Sequence, residues 1–184
     1  MLRTAESEAR YREVFERHHR QIYAYFRRRI DIDSAMDCTS DTFLVAWRRL
    51  EDIPSGDGEL RWLYTVARNV LRNSYRSKRR SRHLLGELDH DLPDTADTPD
   101  LVVVRGEEER EVIEAVRRLS RNDQEVLLLS VWEELPRDDI AVVLGCTPHA
   151  VSQRLHMATK RLAREIEKSS AIRSRSITQQ EESA

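Results

Sequence analysis

"GCTPHAVSQRLHMATKRL", residues 145–162, changes character three times within eighteen positions. Gly145 can adopt the left-handed backbone that ends a helix, Thr147 offers an N-cap oxygen for the next, and Pro148 suits a first helical turn, where its missing amide costs nothing. Val151, Leu155, Ala158 and Leu162 then recur at helical spacing, a stripe expected to dock on Ile140, Val143 and Leu144 of the short helix "RDDIAVVL" that follows Pro136. The other face carries Ser152, Gln153, His156 and Lys160, with Arg154 and Arg161 beside them. A short helix, a three-residue turn and a second helix bearing hydrogen-bonding side chains in its N-terminal half form a helix-turn-helix. In that motif such side chains reach base edges in the major groove, and Arg154, Lys160, Arg161 and Arg164 would meet phosphates.

Upstream of this motif, Ser120 and Asp123 make a Ser-x-x-Asp helix start before the apolar run Val126, Leu127, Leu128 and Leu129. Three or four helices are expected from about Leu101 onward. Before them, "GELDHDLPDTADTPD" (86–100) is acidic, holds two prolines and has no usable period, so it reads as a flexible tether. Earlier still come three helical segments. The first aligns Tyr11, Phe15, Ile22, Tyr25 and Phe26 on one face. The second sets Phe43, Ala46, Trp47 and Leu50 in a stripe, with Ser34 as its expected N-cap. The third packs Leu60, Leu63, Tyr64, Ala67 and Leu71 inward and ends in Arg76, Lys78, Arg79 and Arg80. No internal repeat appears.

The fold class is therefore all-α: two small helical domains joined by a flexible acidic linker, the second containing the helix-turn-helix. The boundaries fall at 1–80, 81–107 for the linker, 108–168, and 169–184 for a polar tail expected to be disordered. The net charge of −2 conceals an asymmetry: residues 1–80 carry 17 Lys and Arg against 12 Asp and Glu, whereas 81–110 carry 3 against 9. A local cationic excess beside an acidic segment permits a focused anion-binding face that bulk charge would not suggest.

Cys38 and Cys146 are far apart, without a CxxC or a dense His/Cys cluster, so both are expected to be small structural residues and no metal or cofactor is implied. His149 and His156 share a face but lack a third ligand at metal spacing. His18 and His19 are expected at the surface or at an interface. Trp47 and Trp62 are expected as core anchors, and Tyr75, beside the cationic run, as a stacking platform. Asp37 and Asp41 could mimic a catalytic carboxylate pair, but nothing around them suggests a pocket that would perturb one of them, so no enzymatic activity is expected. Without an apolar stretch of membrane-spanning length, the chain is expected to be cytoplasmic and not membrane-inserted.

Taken together, "DCTSDTFLVAWRRL", "LRWLYTVARNVLRNSYRSKRR" and "LSRNDQEVLLLSVWEELPRDDIAVVLGCTPHAVSQRLHMATKRL" resemble, in order and separation, regions 2.2, 2.3 to 2.4, and 4.1 to 4.2 of the extracytoplasmic-function (ECF) sigma factors. The resemblance implies an alternative sigma factor that binds core RNA polymerase, recognises −10 and −35 promoter elements and promotes DNA opening. The 1–80 domain would be sigma region 2 and the 108–168 domain sigma region 4. Asp37, Ser40 and Asp41 would lie at the β′ clamp helices, Ser40 standing where the family usually carries Gln. Asn69, Asn73, Tyr75, Arg76, Lys78, Arg79 and Arg80 would hold the unpaired −10 strand, and Ser152, Gln153, Arg154, His156, Lys160 and Arg161 would read the −35 duplex. The implied partners are core RNA polymerase (β′ clamp helices and β flap), promoter DNA and an anti-sigma factor. Two other readings stay open from the residues alone: a stand-alone helix-turn-helix regulator independent of polymerase, and a helical protein-interaction module.

Overall fold

The computed structural model describes residues 4–84 and 107–181. They form two compact units, one built on three helices, α1 (Ala5–Arg27), α2 (Ile32–Arg48) and α3 (Gly58–Leu84). The other is built on α4 (Glu107–Arg117), α5 (Arg121–Val131), α6 (Arg137–Leu144) except its last three residues, which group with the first unit, and α7 (Pro148–Glu181); no strand occurs among the described residues. The acidic 86–100 tether lies outside the described residues.

In the first unit all three helices pack on one another around Ile22, Tyr25, Phe26, Phe43, Leu63, Tyr64 and Ala67, each at most 2 % exposed. Tyr25 is the hinge of this core: Phe26 meets it edge-on at 5.3 Å, Tyr64 lies 5.5 Å away, and the Arg29 guanidinium stacks 3.6 Å from its ring. Each fully buried aromatic of this kind contributes about 1.5–3 kcal/mol through the area it removes from water.

The helix starts differ in one place from expectation. Asp31, not Ser34, caps α2: its carboxylate accepts the Ser34 amide at 2.9 Å, so Ser34 supplies the donor rather than the cap. The chain enters the helix at Ile32, which makes Asp31 the residue whose oxygen lies three positions ahead of an orphan amide. Thr4 caps α1 and Ser120 caps α5 in the same way.

His18, expected near the surface, is buried instead. Its Nε2 lies 3.0 Å from Glu59 Oε2 and its Nδ1 3.0 Å from Gln21 Oε1. Glu59 is itself buried at the start of α3 and also accepts from Arg17 at 2.6 Å, while Arg17 reaches Glu13 on its own helix. The polar side of α1 is thus sealed by an ion cluster that a period-based reading of apolar residues cannot register. His19 is half-buried, with its ring 4.7 Å from that of Phe15. Trp47 and Trp62, expected as core anchors, are half-buried; Tyr11 meets Trp47 at 4.9 Å and Arg49 lies over Trp62.

In the second unit α7 packs against α4 and α5 over a core of Ala115, Val116, Val126, Leu129, Ile140, Val151 and Ala158, each at most 2 % exposed. Two extents differ from expectation. The third helix runs past Arg80 to Leu84, and α7 continues through Glu181, into the segment expected to lack order. No glycine or proline interrupts 169–181, so nothing local stops a helix already nucleated by the packed turns before it.

Burial alone would raise the Glu59 pKa, but hydrogen bonds from His18 and Arg17 and the charge of Arg17 outweigh it and hold the carboxyl below its ordinary value. A carboxyl depressed on folding adds stability above its unfolded value of 4.5 and loses it as pH falls through the lower folded value. Thermal unfolding of the full chain, followed by near-ultraviolet circular dichroism, should therefore show a midpoint that drops steeply below pH 4.5. Glu59→Gln should cost about 1–3 kcal/mol at neutral pH and flatten that acid limb.

Candidate nucleic-acid interfaces

The cationic end of α3 separates into two sets of side chains. Asn69, Asn73, Arg76 and Arg80 are exposed and recur at i, i+4, i+7 and i+11, which places them in one row along the helix. The row presents two amides and then two guanidinium groups, with Arg80 Nε reaching the Arg76 carbonyl at 3.4 Å. Tyr75 and Lys78 turn the other way. The Tyr75 hydroxyl donates to the Arg29 carbonyl at 3.1 Å, and Lys78 Nζ lies 3.3 Å from Asp31 Oδ2. Both fasten α3 to the turn between α1 and α2, and both are half-buried. The Arg79 side chain lies outside the described residues.

Asp31 is the centre of that fastening. The Ser34 backbone amide, followed by the Ser34 hydroxyl and Lys78, outweighs partial burial and lowers its pKa from 3.8 to about 2. It remains ionised whenever Lys78 needs its partner, and the pairing weakens only as pH falls from 3.8 toward about 2. Arg29, which supplies the carbonyl to Tyr75, is buried, with its Nη1 on the Tyr25 carbonyl at 2.7 Å.

The turn between α6 and α7 has the geometry its residues dictate. Gly145 has φ +66°, and the Cys146 amide bonds back to the Ala141 carbonyl at 2.9 Å, the long bond of a Schellman cap. Thr147 Oγ1 accepts the Ala150 amide at 3.2 Å and Pro148 opens α7. Val151 and Ala158 are fully buried and Leu155 and Leu162 half-buried, so the inward stripe is as expected. Gln153, Arg154, His156 and Lys160 are exposed. Ser152 is half-buried and its hydroxyl donates to the Pro148 carbonyl at 3.1 Å. Arg161 is engaged: its Nη1 lies 2.9 Å and 2.7 Å from the two carboxylate oxygens of the buried Asp123. Cys146 is half-buried, with Arg154 Nη1 at 3.7 Å from its sulfur. Cys38 is buried, and that burial raises its thiol pKa.

On α2, Asp37, Ser40 and Asp41 are exposed together, and Met36 and Leu44 beside them are 55 % and 44 % exposed. This face borders a groove of about 620 Å³ between α1 and α2, lined by Tyr11, Phe15, Ser40, Phe43, Leu44 and Trp47. Burial raises the Tyr11 phenol pKa. Sequence reasoning had put Tyr11 and Phe15 into the core stripe and missed the groove. Among the described residues no group of three or more His, Cys, Asp or Glu side chains could hold a metal ion, and no helix is long and apolar enough to cross a membrane.

Comparison with known proteins agrees on one family. The model for sigma-70 region 2 matches residues 14–81 and that for sigma-70 region 4 matches residues 109–162. The ECF RNA polymerase sigma factor SigL of Mycobacterium tuberculosis is 31 % identical over 154 residues, covering 82 % of this chain and 85 % of SigL. The RNA polymerase sigma factor YlaC of Bacillus subtilis is 27 % identical, over 85 % of this chain and 92 % of YlaC. The "Probable RNA polymerase sigma factor RfaY" of Xanthomonas campestris is 32 % identical over 74 % of this chain, which spans only 35 % of RfaY. Of solved structures, the sigma factor RpoE in complex with the anti-sigma factor NepR from Bartonella quintana aligns with a TM-score of 0.68 at 18 % identity, over 85 % of this chain and 96 % of that one. CnrH in complex with the cytosolic domain of CnrY aligns with a TM-score of 0.61 at 22 % identity, over 86 % and 88 %. At these identities the two structures speak to the fold.

The division of the α3 side chains can be measured directly. Tyr75→Phe, which strips the Arg29 carbonyl of its donor, should lower unfolding free energy by about 1 kcal/mol in urea titrations of the full chain. Asn73→Ala, in the exposed row, should stay within about 0.5 kcal/mol of the parent.

Proposed function

The chain belongs to the extracytoplasmic-function sigma factors, alternative sigma factors of RNA polymerase, and from that premise we propose how its two units divide the work at a promoter. The first unit takes the −10 element as an unpaired strand. Asn69 and Asn73 offer amides to the edges of flipped bases, and Arg76, Arg79 and Arg80 follow the phosphates. Tyr75 and Lys78 brace the helix that carries them, and reach the strand only from its margin. The exposed row of Asn69, Asn73, Arg76 and Arg80 carries this reading, because a helix that spends its amides and cations on one open face suits a strand whose bases and backbone must be held together.

The second unit reads the −35 element as duplex. Gln153 and His156 face base edges, Ser152 lies at the helix N-terminus near the backbone, and Arg154 and Lys160 meet phosphates. On α2, Asp37, Ser40 and Asp41 engage the clamp helices of the β′ subunit, with Met36 and Leu44 supplying apolar contact, and the second unit meets the β flap. DNA opening needs no catalysis by the chain: binding to the melted strand offsets an unstacking cost of a few kcal/mol per base. An anti-sigma factor is a further partner, a reading supported by the RpoE complex with NepR. The protein works in the cytoplasm, where core polymerase and promoter are.

Purified protein added to core polymerase should give promoter-dependent run-off transcripts. A protein that shifts duplex DNA alone but never yields a transcript with core enzyme would be a stand-alone regulator instead. Arg76→Ala should weaken open-complex formation on every promoter and reduce the salt slope by about 0.7, the share of one single-strand phosphate. Gln153→Ala and His156→Ala should relax preference at particular upstream bases by about 1–3 kcal/mol while leaving the salt slope in place.

A further inference from the structure

Arg161 lies on the helix that reads DNA in the proposed function, yet its guanidinium is turned toward its own protein. Nη1 bridges both oxygens of Asp123, and the Asp123 side chain is 9 % exposed against 50 % for Arg161. Asp123 is in turn held at the first turn of α5: the Ser120 hydroxyl donates to its Oδ2 at 2.8 Å, and its amide donates to Ser120 Oγ at 3.2 Å. The three residues connect the capped start of α5 to the middle of α7, across the largest packing interface of this unit. Apolar packing of Val151, Leu155, Ala158 and Leu162 holds α7 against its neighbours, but the attraction it supplies is non-directional. A short bond between charged groups supplies the direction that the stripe lacks.

We propose that Arg161 is a positioning residue, which through Asp123 and the Ser120 cap sets the angle at which α7 presents Gln153 and His156 to the bases. Arg161 follows Gln153 by eight residues, about 12 Å along the helix, so a tilt of about 10° around that anchor moves Gln153 by about 2 Å, more than a hydrogen bond tolerates. Losing the pair therefore degrades discrimination among base pairs before it degrades general attraction to DNA. A phosphate contact by Arg161 has the opposite signature: uniform weakening and a smaller salt slope.

This inference rests on the sigma factor reading, and the experiment keeps the two apart. Full-length protein, as Asp123→Asn, Arg161→Gln, Arg161→Lys and the Asp123→Asn/Arg161→Gln double variant, is assembled with core polymerase. Transcription is compared between a promoter with the preferred −35 sequence and one altered at a base that Gln153 or His156 reads, over a range of salt. Asp123→Asn and Arg161→Gln should each lower the discrimination ratio by roughly fivefold to tenfold, part of the penalty of one mismatch. The double variant should be no worse than either, the salt slope should stay unchanged, and Arg161→Lys, which retains one bridging ammonium, should keep most of the ratio. If Arg161→Gln lowers the salt slope by about 0.9 while Asp123→Asn leaves discrimination intact, Arg161 is a phosphate contact and the proposal is overturned. If the parent protein gives no transcript, the sigma reading fails, and the same ratio and slope measured on duplex DNA bound by the chain alone decide the positioning role.

Discussion

Glu59 is a buried carboxylate with His18 and Arg17 of α1 at its Oε2, and α3 begins on that spot. A buried charge demands partners, and the demand is directional: α3 has one rotation at which Glu59 meets both. That rotation places Leu63, Tyr64, Ala67 and Leu71 in the core and, by helical period alone, leaves Asn69, Asn73, Arg76 and Arg80 outside. At the far end Tyr75 and Lys78 repeat the constraint against the α1–α2 turn. The face proposed for the unpaired strand is thus oriented by polar contacts at both ends of its helix, with apolar packing between them.

The second unit uses the same division. Its stripe from Val151 to Leu162 supplies cohesion, and under the positioning role proposed for Arg161 its orientation comes from polar groups: the Ser120 cap, Asp123 within it, and Thr147 at the head of α7. Each unit is small, so its apolar core has little area with which to choose among near-equivalent helix rotations. Charged and capping groups make that choice at a modest cost in desolvation.

The sequence revealed the helices, their order, the Gly145 turn and the inward stripes, because those signals are local: period, caps and a residue permissive of positive φ. It was less informative about which polar side chains face solvent. His18, Lys78, Tyr75 and Arg161 have the composition of surface residues, and each meets a partner 38 or more positions away in sequence. No window of sequence contains both members of such a pair. The α1–α2 groove escaped for a related reason: Tyr11 and Phe15 fit the apolar period of α1, yet they line a groove with Phe43 and Trp47 of the neighbouring helix. Ser34 was a near miss of a different kind, one cap-capable residue mistaken for another three positions earlier.

The turn at Gly145 has one more implication. A methyl group built on its α-carbon would meet no atom within 4 Å, so it is the left-handed φ of +66°, and not crowding, that favours glycine there. The turn's form is written in bonds between near neighbours, the Cys146 amide to the Ala141 carbonyl and the Ala150 amide to the Thr147 hydroxyl, around one left-handed residue. Such a corner is portable: grafted between two other helices of matching ends it should reproduce the same bend, while the tilt of the second helix is left to the contacts made further along it.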